Sequence, residues 1–492
     1  MKRSGYISLI LITTLCMGLS SCSETGAETA VSTESITPSS AGSTGASSVS
    51  ESTGITGIEN SRLSDEHAYN HVIYPDDAPA DPGSLAVREY FNLAEMGLTT
   101  PVKAQDAGDC WAFAAATAME SNMLIDQGIA IDIDPHGIVD NIYMDEYDVE
   151  GFSFSDTAWT TDPYEAGGCD GFVPFTCSNG FMSGDTYYVL TDSIRLNQMT
   201  TDDIKHALVT YGAVYAGVND SSWDIRVFDG YKTMNNPENI VDHAAVIIGW
   251  DDNFPKEYFR IPAEHDGAWL VQNSRSEYWG NHGYYWMSYE SFLEAPECYI
   301  VSSDYSDVVS FDIGNQLSFE TGDTTVCANV FDAKGYLKAV GTFICEKGET
   351  VTVKILKGQF GELLYTRDAS FEDLGYHTIE LDSPLPVEGF TVVIEYHGPA
   401  PCEGFTIGDG DLIYSAECHP GESFVYVDGN WLDMAGSGTY DALSSADGYS
   451  ESVCDYCGLD EAGTVSAMFE ECSVEGSPSS VTLGNVCIKA LF

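Results

Sequence analysis

Cys110 stands where a cysteine could act as a nucleophile. The run that follows it, WAFAAATAMESNMLI at 111–125, has no Gly or Pro and is rich in Ala, Met and Leu, so it predicts a buried helix. Asp109 is a residue type that favours the N-cap, which would place Cys110 in the first turn. The helix dipole favours negative charge there, and the thiolate is the reactive form of a thiol. The alternative is a small core residue.

His243 and Asn273 offer what such a nucleophile requires, a base and a group that orients the base. His243 heads an apolar, β-branched run within 241–253, which predicts a buried strand. Asn273 ends a second apolar strand within 267–290. If the two strands are neighbours, both side chains can project into one place. A single histidine on a strand is more often structural than functional, so only the joint pattern predicts a site.

Three separated blocks resemble the papain family of cysteine peptidases, in the family's order: TPVKAQ…GDCWAF, DHAAVIIGWDD and GAWLVQNS…YWGNHGYYWMSY. In that family the histidine and asparagine follow the cysteine by about 130–150 residues; here the separations are 133 and 163 residues. The resemblance covers residues 85–300 and implies an α+β, two-lobed peptidase with a helical lobe and a β-barrel lobe. Residues 139–200 should complete the helical lobe, and 200–218 should give a capped helix followed by a strand.

The resemblance implies roles for four residues. Cys110 would attack the scissile carbonyl carbon, and His243 would pair with the thiolate and then protonate the leaving amine. Asn273 would accept the imidazole N–H and fix the ring. Gln105, with the backbone N–H of Cys110, would form the oxyanion hole. Gln105 lies one residue closer to the cysteine than in the usual motif, which puts rate and oxyanion geometry in doubt more than reaction class.

Other positions match the family less closely. Gly167 and Gly168, in GGCDG, resemble the family's substrate-binding strand. Trp279 matches an aromatic of the family motif and either packs near the site or is structural. Ala107 replaces a cysteine that forms a disulfide in the family, and Arg275 replaces a tryptophan that shields the Asn–His hydrogen bond. We therefore expect that bond to be wetter and weaker.

The N-terminus predicts export. Residues 1–21 combine a charged start with a short apolar run that ends in LSSC, and this resembles a bacterial lipoprotein signal in which Cys22 becomes the lipidated first residue. Residues 22–60 are rich in Ser, Thr, Gly, Ala and Glu, so they predict a disordered tether. The expected location is the extracellular face of a bacterial cell envelope, with the membrane contacted through the lipid anchor. In an ordinary secretory signal Cys22 would be incidental.

The last third of the chain alternates apolar and polar residues. Runs such as ETVTVKILKG, HTIELDSPL (377–385), GFTVVIEYHG (389–398) and ESFVYVDGN predict antiparallel strands, so residues 304–492 should form an all-β sandwich. Their order resembles the lectin-like domain found C-terminal to papain-like enzymes in some bacterial surface proteins. That likeness implies a possible glycan or cell-wall ligand. Structural support of the peptidase is the alternative role.

Composition limits the partners. With 77 Asp and Glu against 19 Lys and Arg, the net charge is −58, so the chain should not bind nucleic acid through its own field. The sequence has no twelve-residue calcium loop of the EF-hand type, and we predict neither a metal site nor a cofactor. Apart from Cys16, Cys22 and Cys110, eleven cysteines remain and cannot all pair. The CDYC pair is a weak zinc or redox signal.

Taken together, these patterns predict a cell-surface cysteine endopeptidase that acts on protein or peptide substrates through a thioester acyl-enzyme. Two alternatives stay open. One is a surface adhesin whose peptidase half is inactive, which the change at Arg275 and the short Gln105 loop motivate. The other is an amidase that acts on cell-wall peptides through a similar Cys–His pair.

Overall fold

The computed structural model describes these residues: 86–105, 109–142, 173–196, 200–220, 226–228, 231–238, 241–312, 317–403, 408–409, 412–413, 418–446, 448–453 and 483–492. All of them belong to one compact unit, Tyr69–Phe492. The predictions for the signal peptide, Cys22, the tether, Ala107, Gly167 and Gly168 lie outside the described residues.

Five α-helices are described: α1 Cys110–Gln127, α2 Pro135–Ile142, α3 Val173–Cys177, α4 Thr201–Tyr211 and α5 Thr439–Ser444. A 3₁₀ helix covers Lys256–Tyr258. Within the described ranges, none of the helices combines the length and the apolar character needed to span a bilayer.

The first ten strands belong to the N-terminal domain of the described chain. They are β1 Tyr90–Asn92, β2 Phe181–Ser183, β3 Thr186–Arg195, β4 Val214–Val218, β5 Arg226–Phe228, β6 Tyr231–Met234, β7 His243–Asp251, β8 Ala268–Gln272, β9 Tyr284–Ser288 and β10 Glu294–Ser302. Strands β4, β7, β8 and β9 form a continuous antiparallel ladder, and β1 also pairs with β7. All nine residues of β7 are buried, as its apolar sequence predicts.

The remaining strands form the C-terminal β domain. They are β11 Val308–Val309, β12 Leu317–Thr321, β13 Thr325–Ile344, β14 Thr350–Lys357, β15 Leu363–Ser370, β16 Gly375–Tyr396, β17 Ala400–Cys402, β18 Gly408–Asp409, β19 Leu412–Ile413, β20 Ser423–Val427, β21 Asn430–Asp433, β22 Tyr449–Val453 and β23 Ile488–Leu491. The long strands β13 and β16 pair antiparallel along most of their length, and β14, β20 and β23 pair beside them.

Helix α1 is the central helix of the first domain. Thirteen of its residues, Trp111 through Met123, are buried, and it packs against β7 and β10. Gly128 ends it in the left-handed conformation (φ 66°), which glycine adopts without a Cβ clash. Asp109 occupies the N-cap and the helix begins at Cys110, as predicted. Asp109 makes no side-chain capping hydrogen bond, and its buried carboxylate lies 3.3 Å from His136 Nε2.

Gly249 allows the backbone of β1 to lie close to that of its paired strand β7. A Cβ on Gly249 would lie 2.2 Å from the carbonyl oxygen of Phe91, so a larger residue does not fit without a backbone shift. The Phe91 ring stacks on Trp250, with ring centroids 4.7 Å apart. This packing ties the start of the described chain to the strand that carries His243.

The two domains share a sheet. Strand β3 pairs with β10 of the first domain and meets β16 of the second at Asp192 and His377. The contact is reinforced where the Tyr376 N–H donates to Ser193 Oγ (2.9 Å) and the Thr378 hydroxyl donates to the Thr191 carbonyl (2.6 Å). Backbone and side-chain hydrogen bonds therefore join the two domains directly.

The predicted order, a domain of helices and strands followed by a β domain, is observed, with local differences. Helix α4 carries a complete capping box between Thr200 and Asp203, and β4 follows it, as predicted. Two strands predicted at 377–385 and 389–398 are parts of the single strand β16. The prediction that 139–200 completes the helical lobe is wrong at its end, because β3 is a ten-residue strand rich in Tyr, Val, Ile and Thr.

Candidate active site

Three secondary-structure ends converge on the predicted site. Cys110 is the first residue of α1, His243 is the first residue of β7, and Asn273 directly follows β8. Because β7 and β8 run antiparallel, the start of one lies beside the end of the other. His243 Nε2 is 3.0 Å from Asn273 Oδ1, and the two residues are only 5% and 2% exposed. The two strands are therefore neighbours, as predicted.

The sulfur of Cys110 has partners on β7. His243 forms a side-chain hydrogen bond with Cys110, and the backbone N–H of Ala244 donates to the sulfur over 3.4 Å. Cys110 is partly exposed, so a substrate can reach it.

The charge state of His243 matches an ion pair with Cys110. Burial by itself lowers the pKa of His243. The Cys110 charge, its hydrogen bond and the nearby Asp220 together outweigh burial and the opposing effect of Arg275, and they raise the pKa to about 9. An imidazole with this pKa is protonated at neutral pH, so His243 can act as a proton donor.

Asn273 is held from three sides. Its Oδ1 accepts a hydrogen bond from His243 and a second from the Ser274 backbone N–H at 2.7 Å. Its Nδ2 donates to Asp220 Oδ2 at 3.4 Å. These contacts identify which end of the amide is oxygen, and the oxygen faces the imidazole. With Nε2 bonded to Asn273, the ring turns Nδ1 towards Cys110.

Gln105 is fixed by Ser274. The Gln105 backbone N–H donates to the Ser274 carbonyl at 2.7 Å, and the Ser274 hydroxyl donates to Gln105 Oε1. Because the oxygen of the amide is bound in this way, donation to an oxyanion falls to Nε2. Gln105 is half-buried, five residues before Cys110. Its role in the oxyanion hole stays a prediction.

Arg275 does not leave the Asn–His hydrogen bond wet, so that expectation is wrong. Its guanidinium lies 3.0 Å from Asp220 Oδ2 and is 37% exposed, and His243 and Asn273 are buried. In place of an aromatic ring, the chain thus has a charged side chain that binds a buried carboxylate beside this bond.

Trp279 packs near Arg275. Its ring meets Tyr285 edge-on at 5.6 Å, and Lys232 Nζ lies 3.5 Å above the ring centroid. The Arg275 guanidinium is 6.0 Å from the same ring. Trp279 is therefore near the site, as one of its two predicted roles requires.

The sequence patterns missed Asp220, Ser274 and the Ala244 N–H. Ser274 could have been found, because it directly follows Asn273. The Ala244 N–H follows His243 in the same way, but backbone groups carry no sequence signal. Asp220 lies in the unremarkable stretch GVNDSS and had no signal at all.

The other described cysteines differ from Cys110. Within the described ranges, the free thiols besides Cys110 include Cys177, Cys298, Cys327 and Cys418. Burial raises the pKa of Cys177 to about 12, and burial together with nearby carboxylates does the same for Cys418. Such thiols are poor nucleophiles near neutral pH.

Comparison with known families matches both parts of the chain. The family model described as papain family cysteine protease matches residues 87–307, and the model described as lectin like domain matches residues 310–444. Among curated proteins, mouse (Mus musculus) cathepsin J is 27% identical over 241 residues, 45% of this chain and 63% of that protein. Rat (Rattus norvegicus) procathepsin L is 24% identical over 211 residues, 42% of this chain and 61% of that protein. The chain thus spans less than two thirds of the length of these relatives.

Two solved structures share the two-domain fold. One is the clostridial cysteine protease Cwp84 after propeptide cleavage (TM-score 0.59, 20% identity, 82% of this chain and 98% of that one). The other comprises the cysteine protease and lectin-like domains of Cwp84, described as a surface layer associated protein of Clostridium difficile (TM-score 0.60, 18% identity, 82% and 88%). At this identity, the likeness concerns the fold alone.

Proposed function

Because residues 87–307 form a papain-family cysteine protease domain and 310–444 a lectin-like domain, we propose that this chain is a cysteine endopeptidase acting through Cys110, His243 and Asn273. One observation carries the proposal: a partly exposed cysteine at a helix start is hydrogen-bonded to a buried histidine, which is bonded in turn to an asparagine. A nucleophile, a base and an orienting group are the parts that acyl transfer needs.

Acylation begins from the ion pair. The Cys110 thiolate adds to the carbonyl carbon of the scissile peptide bond, and the carbonyl π electrons move to oxygen. The Cys110 backbone N–H and Gln105 Nε2 stabilise this oxyanion. As the tetrahedral intermediate collapses, the C–N bond breaks and the His243 imidazolium gives its proton to the leaving amine. A thioester on Cys110 and a free amine result.

Deacylation uses the same groups in reverse. His243, now neutral, accepts a proton from a water molecule while the water oxygen attacks the thioester carbon. The C–S bond breaks, the carboxylic acid leaves, and the thiolate–imidazolium pair is restored. Asn273 holds the ring at Nε2 throughout, so the same Nδ1 faces the reaction in both steps.

A thiol-specific epoxide probe of the papain-family type tests the proposal. The wild-type chain should be labelled once, at Cys110, and should cleave a denatured protein. The Cys110→Ala variant should do neither, while Cys418→Ala, which removes another partly exposed thiol, should do both. If the wild type is not labelled, the adhesin alternative takes the place of catalysis. If it is labelled but cleaves purified peptidoglycan peptides and not protein, the amidase alternative does.

We further propose that the C-terminal domain binds a glycan or cell-wall ligand. The match of residues 310–444 to a lectin-like model supports this. A chain carrying Cys110→Ala, which cannot digest its target, would be tested against purified cell walls and a glycan array. Binding that free sugar competes away would support the proposal, and no retention on either material would contradict it.

We also propose a lipid anchor at Cys22, exposing the protein on the cell envelope. The charged start, apolar run and LSSC ending support it. Wild-type protein should sediment with membranes and incorporate labelled fatty acid, and Cys22→Ala should lose both. Cys16→Ala, which alters a cysteine inside the predicted signal, is the matched control. Equal membrane retention of wild type and Cys22→Ala would refute the anchor.

A further inference from the structure

Asp220 places a buried carboxylate behind the predicted catalytic pair. Strand β4 pairs with β7 so that Val218 lies opposite His243, and the chain then turns so that the Asp220 N–H donates to Asp242 Oδ1 at 2.7 Å. The Asp220 side chain is 1% exposed, and its Oδ2 lies 3.9 Å from His243 Nε2. A buried carboxylate requires a charge partner or strong hydrogen bonds.

The partners of Asp220 come from one short segment. Asn273 Nδ2 lies 3.4 Å from Asp220 Oδ2, and the Arg275 guanidinium lies 3.0 Å from the same oxygen. Asn273 and Arg275 are two residues apart after β8, so one carboxylate binds both the group that orients the histidine and a nearby cation. Asp220 lies outside the three sequence blocks that resemble the papain family.

We propose that Asp220 and Arg275 are a pair of positioning residues: Asp220 holds the Asn273 amide against His243, and Arg275 balances the carboxylate charge that His243 would otherwise experience. The pair acts through Asn273 and His243 and does not touch the substrate. This inference rests on the proposed peptidase function of the same site.

The pair makes a prediction about charge that a purely structural contact does not. The charged groups facing His243 among the described residues are Cys110 on α1, Asp220 after β4 and Arg275 after β8. The Asp242 carboxylate, next in sequence, is engaged by the Asp220 N–H. Removing the negative charge of Asp220 therefore destabilises the imidazolium, whereas removing the positive charge of Arg275 stabilises it.

The test is the alkaline limb of kcat/KM against pH for a peptide substrate, because this limb reports loss of the His243 proton in the free enzyme. Asp220→Asn keeps an acceptor for Asn273 and removes only the charge, so the limb should move about one pH unit down. Arg275→Met should move it up by a smaller amount, since the guanidinium is partly in solvent, where its charge is screened. The double variant should return towards the wild-type limb.

The variant Asp220→Ala separates the positioning of the Asn273 amide from the effect of the Asp220 charge. This variant loses the acceptor for Asn273 Nδ2 as well as the charge, so its kcat should fall at least tenfold further than that of Asp220→Asn, with little change in KM. Glu297→Gln is the matched control, because it also removes the charge of a buried carboxylate, one that pairs with Arg195 at 3.7 Å away from the site. It should leave the alkaline limb in place.

Opposite shifts in the two single variants support the inference. Shifts in the same direction, or limbs that coincide with that of the wild type in both variants, overturn it. Arg275→Met alters a partly exposed side chain, so it keeps the test decisive if Asp220 variants do not fold. The peptidase proposal fails separately, when Cys110→Ala retains the activity of the wild type.

Discussion

Replacing Lys489 by Met should strongly destabilise the joined domains. Lys489 Nζ lies 2.7 Å from Asp312 Oδ2, and both side chains are fully buried. Lys489 also donates to Asn179 Oδ1 at 2.6 Å, which extends the contact into the peptidase domain. Removing the ammonium leaves the Asp312 carboxylate buried without its counter-charge, and such a break costs about 3–5 kcal/mol.

The double variant Asp312→Asn with Lys489→Met separates this cost from lost packing. It removes both charges, and because replacing a whole buried ion pair by uncharged groups is often close to neutral, it should regain at least about 2 kcal/mol relative to Lys489→Met. Lys338→Met is a control, because Lys338 bonds the Asp304 carbonyl at an exposed position. It should change the stability by less than about 0.5 kcal/mol.

Urea unfolding measures these differences. With a slope of about 2–3 kcal/mol per molar urea, the midpoint of Lys489→Met should fall by about 1–2.5 M. Unfolding would be followed by tryptophan fluorescence and by epoxide labelling of Cys110, and coincident transitions would justify a single free energy of unfolding. If the single and double variants unfold at the same urea concentration, the buried charge is not the cause and the reasoning is refuted.

Three further predictions concern the site and its support. Wild-type activity should be lost as the pH rises through about 9, because the folded His243 must stay protonated to release the amine; an alkaline limb below pH 8 in a pH–rate profile would contradict the raised pKa. Gln105→Ala should lower kcat by about 10²–10³, and Ser274→Ala, which only orients the amide, should cost less; equal losses in steady-state assays would argue against that division. Gly249→Ala should lower the melting temperature by several degrees, at about 4 °C per kcal/mol or less, because its Cβ meets the Phe91 carbonyl; an unchanged calorimetric midpoint would show that β1 can move away.

The sequence was sufficient for the elements that bear strong periodic patterns. The buried helix behind Cys110 and the apolar strand behind His243 follow from composition and spacing, because their burial is uniform along the element. Strand β16 was predicted as two pieces, since its exposed middle section, DSPLPVE, contains Pro and Asp and resembles a turn. Pairing with β13 carries the strand through this section.

The site was predictable where a residue type and its neighbours carry the chemistry, and not where the contact is made across the fold. Cys110, His243 and Asn273 were found from motifs. Asp220 was not, because its contacts come from the β4–β7 and β7–β8 pairings, which no local pattern specifies. The error about Arg275 has the same origin, since its carboxylate partner is 55 residues earlier in the chain.

The strand pairing between β3 and β16 bears on how the protein would choose where to cut. Many enzymes carry a binding module on a flexible linker, so the module raises the local concentration of substrate over a broad sphere. Here the two domains are joined by main-chain hydrogen bonds, including one from the Arg195 N–H to the Leu374 carbonyl at 3.1 Å. A ligand bound by the C-terminal domain would therefore be held at a fixed position relative to Cys110. Only peptide bonds at one distance and direction from that ligand would reach the cysteine.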